Sequence, residues 1–124
     1  MLLLIRIFSL LPLSVLYFIS DVILYPLVYY VARYRLNVVR KNLRNSFPSK
    51  GNDELKSIEK KFYRHFADLL VEIVHGYRAS DEEMREHVVF ENVDLVEDLA
   101  QKTHGVIAYL GHMGNWEWIA DLNK

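Results

Sequence analysis

The 124-residue chain has the size of one small domain, yet 52% of its residues are hydrophobic, with eight tyrosines and six phenylalanines. Its net charge of −1 conceals an asymmetry: Arg33 to Arg64 holds ten Lys/Arg against three Asp/Glu, and His65 to Ala100 holds ten Asp/Glu against two Arg. The absence of cysteine excludes disulfides and Cys-based zinc or redox sites, and a basic block without interleaved aromatics, opposed by an acidic one, argues against nucleic acid as a partner.

The first 32 residues carry only two charges, Arg6 and Asp21. Within them Phe8 to Ala32 forms an apolar stretch long enough to cross a bilayer, for which about 20 residues suffice. Tyr17, Tyr25, Tyr29 and Tyr30 suit a membrane interface. Asp21 is costly in mid-segment, and Pro12 and Pro26 can bend a helix. The leading expectation is a membrane-anchor helix over residues 1–32. A buried helical hairpin is an alternative, as is a break at Asp21 with one apolar piece on each side lying in the membrane surface. A cleaved signal peptide fits less well, because the apolar part is long and no small-x-small cleavage site follows it. Arg33, Arg35, Arg40, Lys41 and Arg44 follow the segment, so the positive-inside rule places residues 33 onward in the cytoplasm. The same cations suit anionic headgroups or simply a solvated helix face.

Residues 33–47 predict a helix that ends before Pro48. From Asp53, the spacing of Leu55, Ile58, Phe62, Phe66, Leu69, Leu70 and Ile73 predicts an amphipathic helix with that stripe as its core face, Asn52 as N-cap and Gly76 as its stop. Glu72 and His75 lie beside the stripe, and a lone histidine there reads as structural. Ser80 and Glu83 form a capping box that opens a short helix. "VVFEN" (Val88 to Asn92) has strand propensity, "VDLVEDLAQKTHG" reads as a helix stopped by Gly105, and "VIAYL" (Val106 to Leu110) reads as a strand buried on both faces. Strand, helix, strand, helix is the opening of a parallel α/β layer. The expected fold class is therefore α/β: an anchor helix, a helical segment, then the first strands of a partly parallel sheet.

"YLGHMGNWEW" (Tyr109 to Trp118) follows the second expected strand. Ligands bind at that edge of open α/β sheets. Gly111 and Gly114 permit a tight turn and close backbone approach. Five positions on one helix set side chains about 140° apart, so His112 and Glu117 can meet only if His112 sits on the turn and Glu117 on the following helix. A histidine serves as general base near neutral pH, and a carboxylate on its other nitrogen fixes the tautomer and stabilises the imidazolium. Neither Ser nor Cys lies inside the block, so the nucleophile would be a substrate hydroxyl. Spacing alone leaves a structural turn as the competing reading. No metal-ligand set is visible, since His104 and His112 stand apart from any carboxylate group with ligand spacing.

"GHMGNWEW" resembles the His-x4-Asp/Glu block of bacterial lipid A late acyltransferases (lauroyl and myristoyl transferases), which usually read Gly-His-x-Gly-Asn-Trp-Glu there. "RYRLNVVRKNLRNSFP" is similar to the family's Arg–Asn-Leu–Phe-Pro stretch, and "YRHFADLLVEIV" to its helix with an acidic residue near the end. The resemblance covers nearly the whole chain. It implies transfer of a fatty acyl chain from acyl carrier protein to a hydroxyl of a lipid A precursor glycolipid, at the bacterial inner membrane and without a cofactor. It makes His112 the base and Glu117 its partner, with Gly114 and Asn115 shaping the turn. Trp116 and Trp118 are candidates to lie near substrate at the membrane surface, and packing is the competing role. Mannoside acyltransferases of the phosphatidylinositol type share the block, so the resemblance leaves two acceptor classes, a lipid A precursor and a mannoside glycolipid. Family chains continue well past this block, so residues 33–124 are expected to be the N-terminal portion of an acyltransferase domain, inactive alone. The alternative of another class is a non-enzymatic, membrane-anchored helical binding protein.

Overall fold

The computed structural model describes residues 2–89, 91–107, 109, 111, 114, 115 and 118. The chain divides into two units, Met1–Arg78 and Ala79–Lys124. In the first, α1 (Leu2–Phe8) and α2 (Leu13–Ile19) lead into two π-helical turns, Ser20–Leu24 and Leu27–Val31, followed by α3 (Leu36–Ser46) and α4 (Asn52–Gly76). The second holds α5 (Asp81–His87) and α6 (Val93–Lys102).

Pro26 explains the wide turns. It has no N–H to give to the preceding turn, and the bonds on either side lengthen to five residues. The Tyr25 N–H donates to the Ser20 carbonyl, and the Ala32 N–H to the Leu27 carbonyl at 2.8 Å. The inward stripe of this helix is therefore Leu16, Ser20, Tyr25 and Tyr29, all buried and spaced four, five and four. The wider turn keeps the two tyrosines on the side that Leu16 and Ser20 already face.

That stripe lies against α4, whose buried residues are Glu59, Tyr63, Ala67, Val71 and His75, spaced by four throughout. The two elements run antiparallel. Three hydrogen bonds mark the register: Tyr17 OH to Glu72 Oε1 at 2.8 Å, Ser20 Oγ to Asp68 Oδ1 at 2.7 Å and Tyr29 OH to Glu59 Oε1 at 2.8 Å. Each hydroxyl comes from the N-terminal element and each carboxylate from α4. The core cluster is Tyr25, Tyr29, Leu36, Tyr63 and Ala67. The Tyr63 ring lies 5.1 Å from that of Tyr29, and its hydroxyl donates to the Tyr34 carbonyl at 2.5 Å.

The contact stripe of α4 differs from the expected one. Phe62, Leu70 and Ile73 are 43%, 36% and 48% exposed, and the buried row sits one position along. A single helix face is chosen by its partner, not by its own hydropathy. Here the partner presents hydroxyls and rings, which are met by carboxylates, Tyr63 and a small residue, Ala67, that allows close approach. The C-terminal ends were legible: α3 stops before Pro48, and α4 ends at Gly76. The start of α4 was not, since Gly51 takes the N-cap position and the expected cap, Asn52, is the first helical residue.

The expected α/β sheet is absent among the described residues, which form helices and irregular segments and no strand. Val89, Ile107 and Tyr109, from the two expected strands, are 80%, 88% and 97% exposed. Strand propensity becomes a strand only when a neighbour accepts its N–H and C=O groups, and two short strands are marginal in water. A helix closes those bonds internally, and the helical expectations over Asp81–His87 and Val93–Lys102 hold, while the helix expected after Gly114 lies largely outside the described residues. The Glu83 N–H donates to Ser80 Oγ at 3.2 Å, the first half of the capping box.

This packing predicts that Ala67→Leu, which overfills the helix contact, destabilises the chain by about 1–3 kcal/mol. Ile73→Ala, on the half-exposed row, should cost less. Denaturant unfolding in detergent measures both, and the reverse order would contradict the buried row assigned here.

Candidate functional site

His112, Trp116 and Glu117 lie outside the described residues. Around them, Gly114 adopts φ +62. This is the left-handed region that other residues enter only with strain, and open space surrounds the position. Backbone conformation is thus what calls for glycine there. Asn115 is half-buried, and its carbonyl accepts the Trp118 N–H at 3.4 Å in a 3₁₀ turn. The Trp118 ring packs 5.3 Å from His87 at an interplanar angle of 44°. Gly114 therefore sits at a bend, and the turn expected between Gly111 and Gly114 lies partly outside the described residues. The strand expected to lead into it is not formed among the described residues, since Val106, Ile107 and Tyr109 are in irregular backbone.

The N-terminal element contains one helical stretch, Leu13–Val31, that is long and apolar enough to cross a membrane. Only 22% of it is buried. A core helix of a soluble domain would be covered on most sides, so this one presents a wide apolar face outward.

The site that sequence reasoning missed is the carboxylate of Glu59. It is buried, with its side chain 4% exposed. Arg40 grips it with both arms of the guanidinium, Nε to Oε2 at 2.8 Å and Nη2 to Oε1 at 3.1 Å, while Tyr29 donates to Oε1. Three elements thus meet at one carboxyl group: the second π turn, α3 and α4. Burial works to raise the Glu59 pKa. The hydrogen bonds from Arg40 and Tyr29, and the charges of Arg40 and Lys56, outweigh it and hold the carboxyl below its usual range. On the other side of the pair, the hydrogen bond to Glu59 raises the Arg40 pKa further. Tyr63 is raised by burial and by the Glu59 charge, and stays a neutral donor. The available sequence signal was a glutamate in register with Tyr63, Ala67 and Val71, which no hydrophobicity count selects. A concavity beside the pair is lined by Arg40, Leu43, Arg44, Asn52, Lys56 and Glu59. Its cations suit an anion, whereas the pair itself is built for position.

Arg40→Ala strands the buried Glu59 charge and should cost about 2 kcal/mol at neutral pH. The value lies toward the low end for such pairs because the Arg40 side chain is 42% exposed. A lowered carboxyl pKa stabilises the fold fully above the ordinary carboxylate range, and that contribution is lost as pH falls through it. The stability curves of the wild type and Arg40→Ala should therefore converge in acid. Curves that stay parallel down to pH 3 would contradict the pairing.

No curated protein and no solved structure gives a significant match to this chain. The sequence pattern of one family, described as bacterial lipid A biosynthesis acyltransferase, matches residues 1–122. That match takes in the helix pair, the Arg40 stretch and the block around Gly114 together, and the chain belongs to the bacterial lipid A biosynthesis acyltransferase family.

Proposed function

We propose that the protein carrying this chain transfers a fatty acyl group from acyl carrier protein to a hydroxyl of a lipid A precursor. In this reading residues 1–32 hold it at the inner membrane, and residues 33–124, on the cytoplasmic side, form part of the acyltransferase domain. The observation that carries the reading is that the family match runs through residues 111–118, where the His-x4-Glu block lies. The left-handed Gly114 supports a turn at that place.

The chemistry follows from the residue types. His112 takes the proton of the acceptor hydroxyl as its oxygen attacks the thioester carbonyl of the acyl carrier. The carbon–sulfur bond breaks as the new ester forms, and the departing thiolate recovers the proton from the imidazolium. Glu117 orients the ring and stabilises its charged form. Gly114 and Asn115 shape the turn, and Trp116 lies beside the acyl chain or the acceptor.

His112→Ala should lower acyl transfer by about 10²–10⁴-fold, the usual worth of a general base, with membrane association unchanged. Glu117→Ala should also cost heavily. The assay supplies acyl carrier protein thioesters and lipid A precursors to membranes containing the protein. Near-normal transfer by His112→Ala would remove that residue from the mechanism, and equal use of a mannoside acceptor would reassign the substrate.

A further inference from the structure

The outer face of the N-terminal element is apolar and uncovered. Phe18, Val22, Ile23, Leu27, Tyr30 and Val31 are 67%, 56%, 56%, 47%, 58% and 73% exposed. Its inner face is tied to α4 by three hydroxyl–carboxylate bonds. These two facts constrain how the element can meet a bilayer. If Leu13–Val31 crossed the hydrocarbon as it stands, α4 would be carried in beside it, with Lys60, Lys61, Arg64, Asp68 and Glu72 at membrane depth. Charged side chains there are heavily penalised. If the helix crossed alone, the three bonds would break, leaving Tyr17, Ser20 and Tyr29 unpaired in lipid. Asp21, one position from the midpoint of Leu13–Val31, is exposed and would face lipid in either case.

The residues that follow supply the complementary charge. Arg33 and Arg35 both hold left-handed backbone conformations, at φ 48 and φ 51. Neither is glycine, so this corner is held against a steric cost. Both arginines are exposed, as are Lys41 and Arg44 on α3. An apolar helix face bordered by cations and tyrosines is the pattern of a helix lying in the plane of an anionic membrane surface.

We propose that residues 1–78 dock onto an anionic phospholipid bilayer as an in-plane helix pair. The outer face of residues 13–31 enters the boundary between headgroups and acyl chains. Arg33 and Arg35 pair with lipid phosphates, and α4 stays on the aqueous side. The docking extends the membrane anchoring proposed above, and it does not depend on the chemistry of His112.

These 124 residues contain no cysteine, so once any cysteine elsewhere in the full protein is replaced, single cysteines report the two ends of the apolar segment cleanly. In right-side-out and inside-out membrane vesicles from cells producing the full protein, an impermeant maleimide should label Ser14→Cys and Asn37→Cys from the same side. Labelling from opposite sides would overturn the proposal in favour of a spanning helix. The charge contribution has its own readout. Purified protein is titrated with vesicles of phosphatidylcholine, with and without phosphatidylglycerol. A basic residue at an anionic surface is worth about five-fold in affinity, so the Arg33→Gln/Arg35→Gln variant should lose about 25-fold on the anionic vesicles and little on the neutral ones. Equal loss on both, or self-association in place of vesicle binding, would overturn it. Since neither readout is acyl transfer, failure of the His112 assignment leaves both unaffected.

Discussion

The structure of the first unit depends on where the negative charge of Glu59 goes. A carboxylate buried in a helix contact must be fully bonded or it unfolds the contact. Here the bonds come from Arg40 on α3 and Tyr29 on the second π turn. Each donor is thereby fixed against α4. The helix widens on both sides of Pro26, and Tyr29, on the second wide turn, reaches Glu59 at 2.8 Å, one of the bonds that mark the register of the antiparallel pair. Asp68 and Glu72 extend the same bonding scheme along α4, toward Ser20 and Tyr17.

This polar seam has a consequence at the surface. A contact that gives much of its area to hydroxyls, carboxylates and tyrosine rings leaves many apolar residues of both helices to face outward. Phe18 and Val31 on one side and Ile73 on the other are exposed in this way. In an ordinary soluble domain this would be a liability for aggregation. The chain belongs to a lipid A biosynthesis family, and the membrane docking proposed above gives that face a use. Burial of the seam and exposure of the apolar face are thus two results of one arrangement.

Sequence patterns carried the helices well and the layers poorly. Pro48, Gly76 and the Ser80–Glu83 box each act through the backbone within one turn, so they were legible without tertiary knowledge. The core row of α4 was not, since hydropathy ranks Phe62 and Ile73 above Glu59, while the partner helix selects Glu59. The α/β expectation failed for a related reason. Val88 to Asn92 and Val106 to Leu110 have the composition of strands, but a strand is a property of at least two segments, and composition describes only one. At the candidate site only the left-handed backbone of Gly114 was legible, because the conformation and the residue requirement are the same fact. The pairing of His112 with Glu117 rests on residue type and family pattern alone.

The central claim is that Leu13–Val31 remains bound along α4 in the membrane-associated protein. Disulfide trapping tests it most directly, since these 124 residues contain no cysteine and any cysteine elsewhere in the full protein is replaced first. Ser20 and Asp68 are hydrogen-bonded at 2.7 Å, so Ser20→Cys/Asp68→Cys sets two thiols facing each other across the helix contact. Mild oxidation of isolated membranes should trap this pair in most molecules, while Phe18→Cys/Ile73→Cys, on the outward faces, should remain reduced. Absence of the 20–68 bond in membranes, together with its formation in detergent, would mean that the helix leaves α4 to cross the bilayer, and would contradict the account.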